Sequence, residues 1–145
     1  MSRTIVVGVD GSVCSDCAVD RAIELASGLG DSLVFAYAVE PPFRRIGDEW
    51  REAQAALEDI GRPLVDAATA RAAEARLESE AVLVPRRPAE ALLALATERD
   101  ARMIVVGSAS ERPLTGLILG SVPHKLVHRS SVPVLVVPPP TDTRL

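Results

Sequence analysis

A glycine ending an apolar strand and a glycine heading a helix, joined by a long loop, can bind an anion. In this chain Met103 to Val106 reads as a buried strand that ends in Gly107, and thirteen positions on Gly120-Ser121 opens a short helix. Backbone N–H groups crowd an anion only where side chains are absent, and a helix N-terminus adds donors and partial positive charge. The chemistry this spacing suits is phosphate binding. A strand-to-helix connection usually takes about 2–6 residues, and this one is roughly twice as long. Ser121 is expected as the N-cap, with Pro123 tolerated in the first turn. Its hydroxyl and the next amides can hold a phosphate, although a Gly-Ser pair also serves as a plain cap. Leu114, Leu117, Ile118 and Leu119 argue that the loop folds back on the protein.

The second candidate is Val9-Asp10-Gly11-Ser12, at the tip of the first apolar run. A carboxylate there can accept bonds from a ribose or an adenine, or help hold a metal beside phosphates. It can equally cap the following helix, with Gly11 making the turn. The segment is not Gly-x-Gly-x-x-Gly, and the chain has no Gly-x-x-x-x-Gly-Lys-[Ser/Thr], so it carries neither the dinucleotide fingerprint nor a P-loop. Cys14 and Cys17 have redox spacing but open an Ala-rich helix with no thioredoxin-like surroundings. Two small residues on the first turns of a helix is the simpler reading. With only His124 and His128 besides, a tetrahedral zinc site has little support.

The elements that must position these residues are legible from periodicity. Thr4 to Asp10 and Ser32 to Val39 are near-continuous apolar runs, as in strands buried on both faces of a parallel sheet. Ala18, Ala22, Leu25, Ala26 and Leu29 recur at helical spacing, predicting a helix over 13–29 that Gly28 or Gly30 ends. Residues 48–76 read as helical, with a kink or a split into two helices expected at Gly61 and Pro63. Leu77 to Val84 is a less apolar strand, suited to an edge. A helix starts at Pro88 and runs to about Arg99, another covers about 121–129, and Val132 to Val137 is the last strand. The resulting β-α-β-α-β-α-β-α-β order implies an α/β fold. It is a single-domain open parallel five-stranded sheet with helices on both faces, Rossmann-like in plan. Residues 1–138 form the expected domain and 139–145 a disordered tail. In such sheets ligands bind beyond the C-terminal strand ends, where the strand order reverses.

Composition excludes some partners. The net charge of −4 disfavours nucleic acid, for which a basic face supplies most of the affinity. At 3% aromatic the chain lacks rings on which to stack single-stranded bases. No apolar run approaches the roughly 20 residues that span a bilayer, so no membrane partner is expected. The N-terminus runs straight into a strand without a signal-peptide pattern, and a cytoplasmic location is expected by default.

The opening strand with Val9-Asp10-Gly11-Ser12, taken with Leu117-Ile118-Leu119-Gly120-Ser121-Val122 and Pro133-Val134-Leu135-Val136-Val137, resembles the universal stress protein family. The resemblance runs from about Thr4 to Val137. It implies the adenine nucleotide alpha hydrolase-like variant of the fold. ATP-binding members carry Gly-x-x-Gly, nine residues, then Gly-[Ser/Thr]. Gly107 takes the first position and Gly120-Ser121 the last pair, while Ser110 replaces the second glycine. Serine costs on the order of 1 kcal/mol if a positive φ is required there, and its side chain can crowd a phosphate or donate to one.

The resemblance implies ATP, with Mg2+, as ligand. Asp10, with Gly11 and Ser12, would lie near ribose or phosphates. Val39 would meet adenine through its backbone, and Val106 and Gly107 would line the ribose and phosphate side. Ser110 and Gly120 would belong to the loop, and Ser121 and Val122 would hold phosphates. At Arg86-Arg87-Pro88 the family commonly has a small turn; two arginines there can attract phosphates, but a solvated pair is the favoured reading. In the family the last strand, here Val132–Val137, pairs across a twofold axis to make a homodimer, and such an apolar edge needs a cover.

The implied function is an ATP-binding stress-response switch acting on an unknown downstream protein. The alternative is a dimeric stress or interaction protein that has lost ATP. No histidine–carboxylate base is evident and no catalytic residue is assigned. At most slow ATP hydrolysis or self-phosphorylation, with Ser121 as one acceptor, is expected. Related adenylating enzymes carry Ser-Gly-Gly-x-Asp-Ser after the first strand, where this chain has Asp10-Gly11-Ser12.

Overall fold

The computed structural model describes residues 2–108 and 119–140. Within them β1 (Thr4–Gly8), α1 (Val13–Leu29), β2 (Ser32–Ala38), α2 (Gly47–Glu74) and β3 (Ser79–Val84) follow in order. The second half holds α3 (Pro88–Glu98), β4 (Met103–Gly107), α4 (Ser121–Arg129) and β5 (Val134–Val137). All strand pairs are parallel, in the order β3-β2-β1-β4-β5. The chain lays β2 and β3 outward on one side of β1, then returns to place β4 and β5 on the other. The order therefore reverses between β1 and β4. β3 is an edge, as its lower apolarity predicts.

Alternation along the strands divides the core into two layers. Ile5, Val7, Leu33, Phe35 and Val105 face α1 and α2. Val6, Val34, Ile104 and Val106 face α3 and α4. Both layers are dry at the centre, where Ile5, Val6, Phe35 and Ile104 have no exposed surface. This is why the central strands read as continuous apolar runs rather than alternating ones.

Local chemistry sets the element ends. Ser12 caps α1, accepting from the Ser15 amide at 3.1 Å, and Gly30 closes it in the left-handed region at φ 73°. The expected split of the second helix is not seen. α2 runs unbroken for 28 residues through Pro63. Pro63 and Asp59 are both exposed, so the carbonyl that loses its donor to the proline faces water rather than the core. Gly61 is buried for a different reason. A Cβ there would come within 2.2 Å of Tyr37 Cδ1, so the glycine lets the helix lie against that ring.

At the far end of the sheet Asp31, 3% exposed, joins the segments that lead into β1, β2 and β4. It accepts from the Arg3 amide at 2.9 Å and from the Arg102 guanidinium through both carboxylate oxygens. The Arg102 hydrogen bond is the chief reason its carboxyl is held below the usual aspartate range; burial opposes it.

Candidate functional site

Beyond the C-terminal ends of β1 and β4 lies a cavity of about 340 Å3. Small-molecule pockets span roughly 300–1,000 Å3, so a compact ligand fits. The wall is largely apolar: Val9, Ala36, Ala38, Leu57, Leu92 and Val106. Polar groups enter from the strand tips and helix starts: Asp10, Ser15, Tyr37, Glu40, Arg87 and Ser121. The site stands at the topological switch point, where open parallel sheets bind ligands.

The β1 tip is a fastened turn. Gly11 has φ +82°, a conformation that favours glycine, and Asp10 Oδ1 accepts from the Ser12 amide at 2.9 Å. The Asp10 amide in turn donates to Ser15 Oγ at 3.0 Å, and Ser15 is buried. Asp10 does not cap α1, a role that falls to Ser12. Its side chain stays exposed at the cavity, with its orientation set by the turn. Burial and, after it, the Asp10 charge raise the pKa of the Tyr37 hydroxyl above its ordinary value.

The β4 tip and the start of α4 meet. The Ser108 amide donates to Val137 O at 2.8 Å, and the Gly120 amide donates to Ser108 O at 2.8 Å. The long connection thus leaves and returns at one place. Gly120, not Ser121, occupies the N-cap position, and Ser121 is the first helical residue, with no side-chain cap bond. The His124 amide bonds back to Gly120 O, and Pro123 has no N–H. Helix geometry therefore leaves the amides of Ser121 and Val122 without an intrahelical acceptor. No acidic residue lies in this first turn, so the helix dipole there is uncompensated and suits an anion. α3 also points its start into the cavity, with Arg87 at its N-cap and Pro88 behind it.

Asp10, Val106, Gly107, Gly120, Ser121 and Val122 all line the cavity. Gly11 and Ser12 are not in its wall; they build the turn that holds Asp10. Val39 is also outside the wall. It is 2% exposed and its amide is spent on Val84 O at 2.8 Å, while Ala38 and Glu40 on either side reach the cavity. Ser110, the apolar loop residues Leu114, Leu117 and Ile118, and tail residues 141–145 lie outside the described residues.

Gly107 lines the cavity and also has a packing reason. A Cβ there would sit 2.6 Å from the Cys14 carbonyl carbon, so β4 could not approach α1. Sequence reasoning missed Tyr37, Glu40, Leu57 and Leu92, which come from elements far apart in the chain. It favoured a solvated pair at Arg86-Arg87, yet Arg87 is in the wall.

An apolar cleft at a parallel-sheet switch point, with one helix start presenting bare amides, has the shape and chemistry to suit small ligands that pair an apolar face with an anionic group. Sequence comparison narrows this class. The profile of the universal stress protein family matches residues 1–138, and the chain belongs to that family. It is 36% identical over 141 residues to universal stress protein Rv1636 of Mycobacterium tuberculosis, covering 93% of this chain and 95% of that one. A universal stress protein solved in complex with cAMP is 34% identical, with a TM-score of 0.72 over 93% of this chain and 96% of the other. A family protein from Burkholderia pseudomallei is 30% identical, with a TM-score of 0.75 over 93% and 95% of the two chains.

Proposed function

We propose that this protein binds an adenine nucleotide in the β1/β4 cleft and acts as a nucleotide-responsive regulatory protein. The observation that carries this reading is the pairing of an apolar wall with the unsatisfied amides of Ser121 and Val122 in one cavity. The likeness to a protein solved with cAMP supports the adenine class. In this reading the base lies against the apolar wall, and Asp10 accepts from the ribose hydroxyls or supplies an oxygen to Mg2+. The α4 start, with Gly107 and Ser110, holds phosphates. ATP with Mg2+ is the preferred nucleotide. The last strand pairs with its twin in a homodimer; Leu135 stands 38% exposed on this edge.

Thermal unfolding tests the reading. A ligand at one hundred times its Kd stabilises the folded state by about 2.7 kcal/mol. For a domain of this size that raises Tm by roughly 5–11 °C. ATP with Mg2+, AMP and cAMP should each be titrated to millimolar concentration, and a saturable shift with ATP and Mg2+ is the expected result. No shift with any of them rejects the reading. It would favour the alternative of a stress or interaction dimer without nucleotide, for which Ser110 in place of the second glycine speaks. Light scattering on the same samples reports the dimer.

A further inference from the structure

We propose that His124 and His128 form a bidentate site for a divalent transition-metal ion on the outer face of α4. Residues four apart on a helix lie one above the other on a single face. Both histidines are exposed, with ring centroids 4.6 Å apart and ring planes tilted by 58°. Neither lines the nucleotide cavity, so the site is separate from it.

The separation is compatible with a shared ion. A metal–imidazole nitrogen bond of about 2.0–2.1 Å plus the distance from nitrogen to ring centre puts each centroid about 3.2 Å from a shared ion. Two rings at that radius lie about 4.5 Å apart when they subtend a right angle, and about 5.2 Å apart in a tetrahedral arrangement. The observed 4.6 Å places both rings within reach of one shared ion, and imidazole suits Cu2+, Ni2+ and Zn2+ alike. The terminal imidazole torsion is broad, so the nitrogens can turn toward the ion at small cost while the helix keeps the spacing. Among the described residues no cluster of three or more His, Cys, Asp or Glu side chains is placed to hold a metal. Water takes the remaining positions. Of the neighbouring cations, Arg129 is drawn toward Glu90 on α3 at 3.4 Å.

Ni2+ is the suitable probe, because Cu2+ oxidises thiols and the chain carries Cys14 and Cys17. Calorimetric titration of the full chain with nickel chloride in a non-chelating buffer should show one equivalent bound per chain. His124→Gln and His128→Gln should each weaken binding roughly tenfold or more, because either change breaks the chelate. Glutamine keeps helix propensity, and circular dichroism verifies that the variants are folded. In the wild type, substoichiometric Ni2+ should broaden the imidazole proton resonances of both histidines together, a readout that needs no variant. Unchanged affinity in both variants, loss in only one, broadening of one ring alone, or no binding at millimolar Ni2+ overturns the site. Any of these would leave the histidines as a tilted surface pair.

Discussion

Gly8 and Gly107 stand at equivalent places, the last residues of β1 and β4, and both line the cavity. What an added methyl would meet differs. At Gly8 it meets the far ends of Leu92 and Val106, at 2.9 and 3.1 Å, which can shift. At Gly107 it meets the backbone of Cys14 at 2.6 Å, which cannot move without displacing α1. Gly107→Ala is therefore expected to destabilise by about 1–3 kcal/mol, and Gly8→Ala by less than about 1 kcal/mol, in urea unfolding. Equal effects would mean that the α1 contact does not constrain β4. Asp31 makes a second residue-scale prediction. Its carboxyl titrates below the unfolded value, so the stability it contributes is fully present above about pH 4 and is lost as pH falls through the folded value. Asp31→Asn should cost about 2 kcal/mol at neutral pH and flatten the loss of stability as pH falls below about 4. An unchanged acid limb would exclude the Arg102 pairing as its source.

The elements show how intrinsic preference and packing compete. α2 contains the two residues least suited to a helix, Gly61 and Pro63, only two positions apart. Sequence reasoning treats them alike, as breakers. The structure separates them, because one faces the sheet and the other faces water. Pro63→Ala restores a hydrogen bond on the exposed face and should stabilise by about 2 kcal/mol after the unfolded chain's gain in freedom is counted. Gly61→Ala also improves helix propensity, by about 1 kcal/mol, yet it drives a methyl into the Tyr37 ring and should be net destabilising. Thermal unfolding of the two variants should move in opposite directions. Tyr37 lines the cavity, so Gly61→Ala should also perturb the site, although position 61 is not in its wall.

For the whole molecule, the switch point decides where the cavity sits. A parallel order β3-β2-β1-β4-β5 brings the tips of β1 and β4 side by side although they are far apart in the chain. Strand and helix types, their order and the edge position of β3 were legible because each depends on local periodicity and composition. So were Asp10, Gly107 and Gly120-Ser121, because glycines and a carboxylate at element ends leave a local mark. Tyr37, Glu40, Leu57 and Leu92 were not, because their membership of the cavity depends on how β2, α2 and α3 dock. Nor was the spent amide of Val39, since its acceptor, Val84 O, arrives only when β3 pairs with β2. The sequence by itself determined the parallel α/β plan, the family and the glycine-marked strand and helix ends, all of which rest on short-range pattern. Only the tertiary structure decided which side chains share the cavity, that α2 survives its proline, and that Gly107 serves the α1 contact. Each of these depends on distances between segments remote in sequence, which no local pattern records.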